Sequence, residues 1–240
     1  MHIKAIILGA GMGTRMRSNL PKVLHPICGR PMIQLLLDSV KKAGIEDTTV
    51  VIGPNMTTVA EVVHPHTTVI QEERLGTAHA VLAAEKHLEP FDGCVLILFG
   101  DSPLILPQTM QKMVQAYREG ADVVVLGFIP PDARRYGRLI MDNDGLQAIV
   151  EYKDATDAQR AIRLCNSGFM CINGQKIKEL LRQIKNDNAA GEYYLTDIVS
   201  VARSQQLKCD VVIGNMDELH GVNTPEELEA AQEIYLRRQG

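Results

Sequence analysis

The stretch from Ile3 to Lys22 constrains this chain more than any other. A short, β-branched apolar run, Ile3-Lys4-Ala5-Ile6-Ile7-Leu8, breaks off at Gly9-Ala10-Gly11-Met12-Gly13-Thr14-Arg15, and Pro21-Lys22 follows after a polar interval. An apolar run of that length bounded by glycine predicts a buried strand rather than a helix. Three glycines in five residues let the backbone turn tightly and expose bare N–H groups, as a loop closing on phosphate oxygens requires. Arg15 and Lys22 add two cations, and both side chains suit phosphate. The spacing G-x-G-x-G is neither the dinucleotide pattern G-x-G-x-x-G nor a P-loop, and a glycine-rich turn after a strand can be purely structural. Taken alone, these residues leave both readings open.

Bulk properties narrow the class. At 240 residues with 45% hydrophobic and 22% charged residues, the chain can bury a sizeable core as one large domain. A net charge of −4 gives no global basic field, so no nucleic-acid partner is expected. No apolar run approaches the ~20 residues of a membrane span, and the N-terminus lacks a basic-then-apolar leader. The expectation is a cytoplasmic protein with no membrane partner. The five cysteines, Cys28, Cys94, Cys165, Cys171 and Cys209, form no C-x-x-C and read as reduced, packed thiols. With no G-x-S-x-G and no closely spaced carboxylate pair, chemistry by positioning and charge neutralisation is favoured over a covalent nucleophile.

Along the chain, strand and helix alternate. Helical spacing from Pro31 to Val40 is followed by a strand at Thr48–Gly53, a short helix near Asn55–Val63 and a strand at Thr67–Gln71. An alanine-rich helix, Ala78 to Ala84, takes Thr77 as its cap. Cys94–Phe99, the most apolar strand, runs into Gly100-Asp101-Ser102-Pro103, and a helix at Pro107–Glu119 and a strand at Asp122–Phe128 complete the alternation. The fold class expected is α/β: a Rossmann-like, mostly parallel mixed sheet with helices on both faces. From Pro130 the texture changes. A hairpin flanks Asp142-Asn143-Asp144-Gly145, Lys153–Arg163 is polar, and Cys165–Ile172 reads as a further strand. The organisation expected is a single domain, with residues 1–129 and 205–240 as core and 130–204 as a smaller, more antiparallel lid.

Ligands in such sheets sit at carboxyl ends of strands, which brings the Gly9 loop and Asp101 to one edge. Asp101 reads either as a turn or helix cap beside Ser102-Pro103, or as a ligand to Mg²⁺ recruited by phosphates. Asn223, just ahead of the Thr224-Pro225-Glu226-Glu227 helix start, reads either as a turn residue or as a neutral oxygen ligand.

The motifs carry a resemblance. Leu8 to Met16 with Pro21-Lys22-Val23-Leu24-His25 resembles the signature of sugar-1-phosphate nucleotidylyltransferases. The likeness continues through Gln71–Ala80, Gly100–Leu104, Tyr136-Gly137-Arg138, Glu151–Thr156, Asn166-Ser167-Gly168, Gly191–Asp197 and Gly221-Val222-Asn223. In order and over nearly the whole chain, these resemble the uridylyltransferase domain of the bacterial bifunctional enzymes that make UDP-N-acetylglucosamine. The resemblance implies UTP and N-acetylglucosamine 1-phosphate as substrates, UDP-N-acetylglucosamine and pyrophosphate as products, and direct in-line attack on the α-phosphorus. It implies that Leu8, Gly9, Ala10, Gly11, Gly13, Lys22, Gln71, Gly76, Thr77, Phe99 and Gly100 hold the nucleotide. Arg15, Lys22 and Asp101 would be the catalytic residues, with Asp101 and Asn223 holding Mg²⁺. Gly137, Glu151, Asn166, Tyr194 and Thr196 would contact the sugar. The resemblance thus implies a nucleotide-binding core and a sugar-binding lid.

Three residues depart from the family pattern: Gly9 where alanine is usual, Met12 where lysine is frequent and Phe99 where tyrosine is common. The resembled family also continues into hexapeptide repeats that do not follow here, so a stand-alone enzyme and an excised domain both stay open, as does oligomeric state. A nucleotidylyltransferase for another base or sugar phosphate, and a catalytically silent nucleotide-sugar binder, remain the alternatives.

Overall fold

The most apolar segments of the chain become strands covered on both faces. The computed structural model describes residues 1–133 and 136–239. Strand β1 (His2–Leu8) leads through a small hairpin, β2 (Pro26–Ile27) and β3 (Arg30–Pro31), into helix α1 (Met32–Lys42). Then come β4 (Asp47–Ile52), α2 (Thr57–Val63), β5 (Thr67–Ile70), α3 (Thr77–Ala83), β6 (Gly93–Phe99), α4 (Pro107–Arg118) and β7 (Val123–Phe128). The hairpin β8 (Arg138–Asp142) and β9 (Gly145–Val150) precedes α5 (Asp157–Arg160), β10 (Cys165–Asn173), α6 (Ile177–Arg182), α7 (Ile198–Ser204), β11 (Cys209–Ile213) and α8 (Pro225–Arg237).

The main sheet runs β11-β7-β10-β6-β1-β4-β5, with β8 joined to β10 and β9 to β8. Strands β6, β1, β4 and β5 are parallel neighbours, as are β11 and β7. Along β1, Ala5 and Ile7 enter one core while Ile6 enters the other, and β6 alternates in the same way. Helices α1, α2 and α4 cover the first face; α3, α6 and α7 cover the second. Each fully buried Leu or Ile in these layers contributes about 1.5–3 kcal/mol relative to exposure. A third cluster seats α8 (Ala231, Ile234) against Met16, Ile27 and Met32, which fixes the segment carrying Asn223.

The α/β fold with its mostly parallel mixed sheet is as expected; the placement of β10 is not. Expected within the lid of 130–204, β10 instead lies in the main sheet between β6 and β7, antiparallel to both. The reason is hydrophobic. Phe169-Met170-Cys171-Ile172 is fully buried, and only an interior position covers both faces of such a run. The antiparallel direction also brings the start of β10, near Asn166, to the edge where β1 and β6 end.

Thr77 is not the cap of α3. The N-cap is Gly76, and Thr77 is the first helical residue. Its hydroxyl instead accepts a hydrogen bond from the Leu195 N–H at 3.0 Å. The sequence signals at α8 hold: Thr224 accepts from the Glu227 N–H, with Pro225 opening the helix. The polar stretch 153–163 forms only α5, closed by a reciprocal capping box between Thr156 and Gln159.

Gly93 starts β6 with φ +154°, and a Cβ there would stand 1.8 Å from the His2 carbonyl oxygen on β1. A backbone obstacle cannot rotate away. Gly93→Ala is therefore expected to cost about 3 kcal/mol of unfolding free energy, read as a lower urea midpoint. An unchanged midpoint would contradict this packing.

Candidate active site

β1 and β6 are where strand order reverses: from β1 the chain moves outward to β4 and β5, then returns to β6 on β1's other side. The crevice at their carboxyl ends is the general ligand position of such sheets. It is built tightly. The Gly9 N–H donates to the Val51 carbonyl at 2.7 Å, and the Gly100 N–H donates to the Leu8 carbonyl at 2.9 Å. A cavity of about 280 Å³ opens there, lined by Leu8, Gly9, Ala10, Gly11, Lys22, Gln71, Gly76, Thr77, Phe99 and Asp101, together with Val23, Arg74, Ala80 and Glu192.

Of the residues expected to hold a nucleotide, Gly13 and Gly100 do not line this cavity. Gly100 is spent on the backbone join just described. Gly13 (φ +64°) packs against Lys22, since a Cβ on it would meet the Lys22 Cβ at 2.7 Å. Its role is to let the Lys22 stem lie against the loop.

Four expected residues converge where Lys22 and Asp101 line this cavity, with Arg15 and Asn223 joined to them. The Lys22 ammonium donates to the Asp101 carboxylate and to Asn223 Oδ1 at 3.1 Å. Arg15 Nη2 donates to the same Asn223 oxygen at 2.9 Å. The Val222 N–H donates to the Asp101 carbonyl at 2.8 Å, and Glu227 Oε2 accepts from the Asn223 N–H at 2.7 Å, so α8's first turn holds Asn223 beside Asp101. The Lys22 and Asp101 side chains are 14% and 20% exposed. Removing either one leaves a poorly solvated charge, a cost on the order of 3 kcal/mol.

A carboxylate oxygen and an amide oxygen gathered on one ammonium beside this cavity suit a hard divalent cation. Among the described residues no cluster of three or more His, Cys, Asp or Glu side chains could hold a metal by itself. An ion here would take its remaining oxygens from a bound phosphate or water.

A second cavity, of about 230 Å³, adjoins the first across Thr77 and Phe99, which line both. Gly137, Glu151, Asn166 and Thr196 face it, as expected, with Tyr136, Ser167, Gly168, Met170 and Leu195. A bulge in β10 between Asn166 and Met170 shapes this wall. Gly168 (φ +92°) sits in it, and a Cβ there would strike the Phe99 ring at 2.8 Å. Tyr194 is not part of this cavity; it lines a separate one behind Glu151 with Asp154 and Asp197.

Burial is the main reason that the Glu151 carboxyl is pushed above the usual 4.5, and the negative charges of Asp154 and Asp197 add to it. The Thr196 hydroxyl offsets part of this. Thr196 Oγ1 is buried and makes no full hydrogen bond, so its bonding capacity stays open in this wall.

Arg74 is the residue the motif reading passed over. Its Nε donates to the Ala10 carbonyl at 3.0 Å, joining the segment after β5 to the glycine loop, and it lines the first cavity. Next to Glu72 and Glu73 it reads in sequence as part of a solvated charge run. Gln71 is 4% exposed, and its side-chain amide donates to the Gly76 carbonyl at 3.2 Å. Gly76 (φ +120°) is required because the Tyr193 backbone crosses it, 2.5 Å from where a Cβ would stand.

A crevice at the sheet's switch point, with a glycine loop, paired cations and an acid–amide pair, is the site of a nucleotide-binding transferase. The model of the MobA-like NTP transferase domain matches residues 5–168, and the chain belongs to that family. It is 56% identical over 232 residues to the bifunctional protein GlmU of Rhodospirillum rubrum, which covers 96% of this chain and 52% of that relative. The corresponding proteins of Paramagnetospirillum magneticum and Roseobacter denitrificans are 50% and 48% identical, over 98% and 99% of this chain and 53% and 54% of theirs. The chain thus spans about half the length of the curated relatives it matches. Among the described residues, no helix is long and apolar enough to cross a membrane.

Glu151 gives a testable sign. Because its folded pKa is raised, the folded state holds the proton more tightly than the unfolded chain, so stability falls as pH climbs from about 4.5 through the folded value. Glu151→Gln removes that fall. The variant is expected to unfold at higher urea than the parent at pH 7, with the excess narrowing toward pH 4. A variant less stable than the parent at pH 7 would contradict the burial argument.

Proposed function

We propose that this domain is a uridylyltransferase that joins UTP and N-acetylglucosamine 1-phosphate to give UDP-N-acetylglucosamine and pyrophosphate. The observation that carries the reading is the pair of adjoining cavities sharing Thr77 and Phe99, with Lys22 and Asp101 in the wall of the first and Asn223 bonded to that same Lys22 ammonium. The nucleotide takes the first cavity, its base toward Gln71, Gly76 and Thr77 and its phosphates against the Leu8–Gly11 backbone, Arg15 and Lys22. The sugar takes the second, with Glu151 and Asn166 as partners for its hydroxyl and amide groups and Thr196 Oγ1 as an open donor. Tyr194 acts from behind Glu151.

The sugar-phosphate oxygen bonds to the α-phosphorus as the bond to the bridging oxygen of the β-phosphate breaks, and pyrophosphate carries the electron pair away. No covalent enzyme intermediate forms; the protein aligns the two substrates and neutralises charge. Lys22 and Arg15 meet the charge that builds on the phosphate oxygens. Asp101 and Asn223 are the residues that would hold Mg²⁺, and their oxygens fit it. When bound, that ion would supply further charge neutralisation at the phosphates.

We also read residues 1–129 and 205–240 as the nucleotide-binding core. The parts of 130–204 outside β10 form the sugar-side lid. The substrates are small molecules, and the reading places the enzyme in the cytoplasm. Its net charge of −4 supports the absence of a nucleic-acid partner.

Pyrophosphate release measured across the four nucleoside triphosphates and several sugar 1-phosphates tests the assignment. UTP with N-acetylglucosamine 1-phosphate is expected to exceed every other pair by at least about tenfold. Turnover with CTP but not UTP would overturn the base assignment, and silence with all pairs would identify a binding protein. Asp101→Asn is expected to leave folding intact and lower turnover by about two decades or more; near-parental turnover at saturating Mg²⁺ would remove Asp101 from the metal site.

A further inference from the structure

Lys22 occupies a place that the proposed chemistry assigns to something else. Its ammonium bonds to the Asp101 carboxylate and, at 3.1 Å, to Asn223 Oδ1, the two oxygens read above as the metal's protein ligands. Arg15 holds the same Asn223 oxygen from another side at 2.9 Å. Mg²⁺ sits about 2.1 Å from its oxygen ligands. An ion held by Asp101 and Asn223 would therefore lie almost on top of the ammonium. The two cations exclude one another.

We propose that Lys22 is an internal counter-cation: in the nucleotide-free protein it fills the divalent-ion position, and a bound polyphosphate draws it away and opens that position. The proposal rests on the reading of Asp101 and Asn223 as metal ligands. The loop lets the exchange happen with little movement. The Lys22 stem runs past two bare glycines: a Cβ on Gly13 would meet the Lys22 Cβ at 2.7 Å, and one on Gly11 would lie 3.9 Å from Lys22 Cε. A lysine end group is a point charge on a flexible stem, so it can leave Asp101 for phosphates cradled by Gly9 to Gly11 while its base stays packed. Gly11 also lines the same cavity as Lys22 and Asp101, so the two positions of the ammonium belong to one space. Arg15 is the wrong shape for the role, since its broad planar fork reaches Asn223 but makes no bond to Asp101 among the described contacts.

The arrangement serves two ends. The acid–amide pair stays neutralised when the site is empty. The metal site also becomes available together with the phosphates that complete the ion's coordination, so metal and nucleotide enter as a linked pair rather than independently.

Mn²⁺ binding to the nucleotide-free chain, followed by the electron paramagnetic resonance signal of the free ion, tests this without any turnover. Lys22→Met and Lys22→Gln, which remove the charge, are each expected to bind one Mn²⁺ at least about tenfold more tightly than the parent. Lys22→Arg, which restores a cation, is expected to bind it weakly again. Adding Asp101→Asn to Lys22→Met is expected to abolish the gain. Equal affinity in the parent and in both neutral variants, with each sensitive to Asp101→Asn, would overturn the counter-cation and leave the metal ligands standing. Tight binding that ignores Asp101→Asn would place the ion elsewhere and overturn both. Circular dichroism of each variant accompanies the titration, and two neutral substitutions guard against one failing to fold.

Discussion

One ion-paired knot, Lys22 with Asp101 and Asn223, is the interaction on which the rest of the site depends. Its members lie 79 and 201 positions from Lys22 in sequence, so nothing local holds them together. The sheet does. β1 ends at the glycine loop, β6 ends one step before Gly100-Asp101, and the pairing of Leu8 with Phe99 sets the two ends level. Asn223 arrives from the far end of the chain, fastened by the Val222 bond to Asp101 and by α8's packing on Ile27 and Met32. A slip of one residue between β1 and β6 would turn every side chain to the opposite face and scatter the knot.

The second half of the cleft follows from a different constraint, the need to bury β10. Being apolar over Phe169 to Ile172, that strand enters the interior of the sheet. Being antiparallel, it delivers Asn166 and Gly168 to the same edge as Asp101. Phe99 then lies against Gly168 and forms part of both cavities. The segment from Glu192 to Thr196 serves both cavities: Glu192 lines the first, Leu195 and Thr196 the second. Tyr193 exchanges backbone hydrogen bonds with Leu75 and Ala78, and the Leu195 N–H bonds to the Thr77 hydroxyl. The segment is thus joined to the start of α3 by short polar contacts as well as by the packing of Leu195 into the same core as Ala78 and Val81.

How much of this was legible in the residues differs from element to element. The parallel core was, because continuous apolar runs such as Cys94 to Leu98 admit few other fates and glycine marks their ends. The glycine loop and its cations were legible as a phosphate candidate. Asp101 and Asn223 were ambiguous one at a time; a carboxylate at a strand end and an asparagine before a helix are ordinary features, and only the folded chain puts one ammonium between them. The position of β10 was not legible, since an apolar run reports that both faces are covered but not which neighbours cover them. Thr77 misled because a threonine at a helix start usually caps it, whereas here Leu195 takes its hydroxyl. Arg74 was masked by Glu72 and Glu73. Tyr194 departs from the second cavity because its neighbours Tyr193 and Leu195 take the inward positions, against Gly76 and Thr77.

The central claim is that two substrates meet across Phe99 and Thr77 and react directly, with no group of the protein between them. The stereochemical course at phosphorus tests this most directly. With a single diastereomer of UTP bearing sulfur on the α-phosphorus, one in-line displacement predicts inversion of configuration in the nucleotide-sugar product. Retention would mean two displacements and a covalent enzyme intermediate, and would contradict the account.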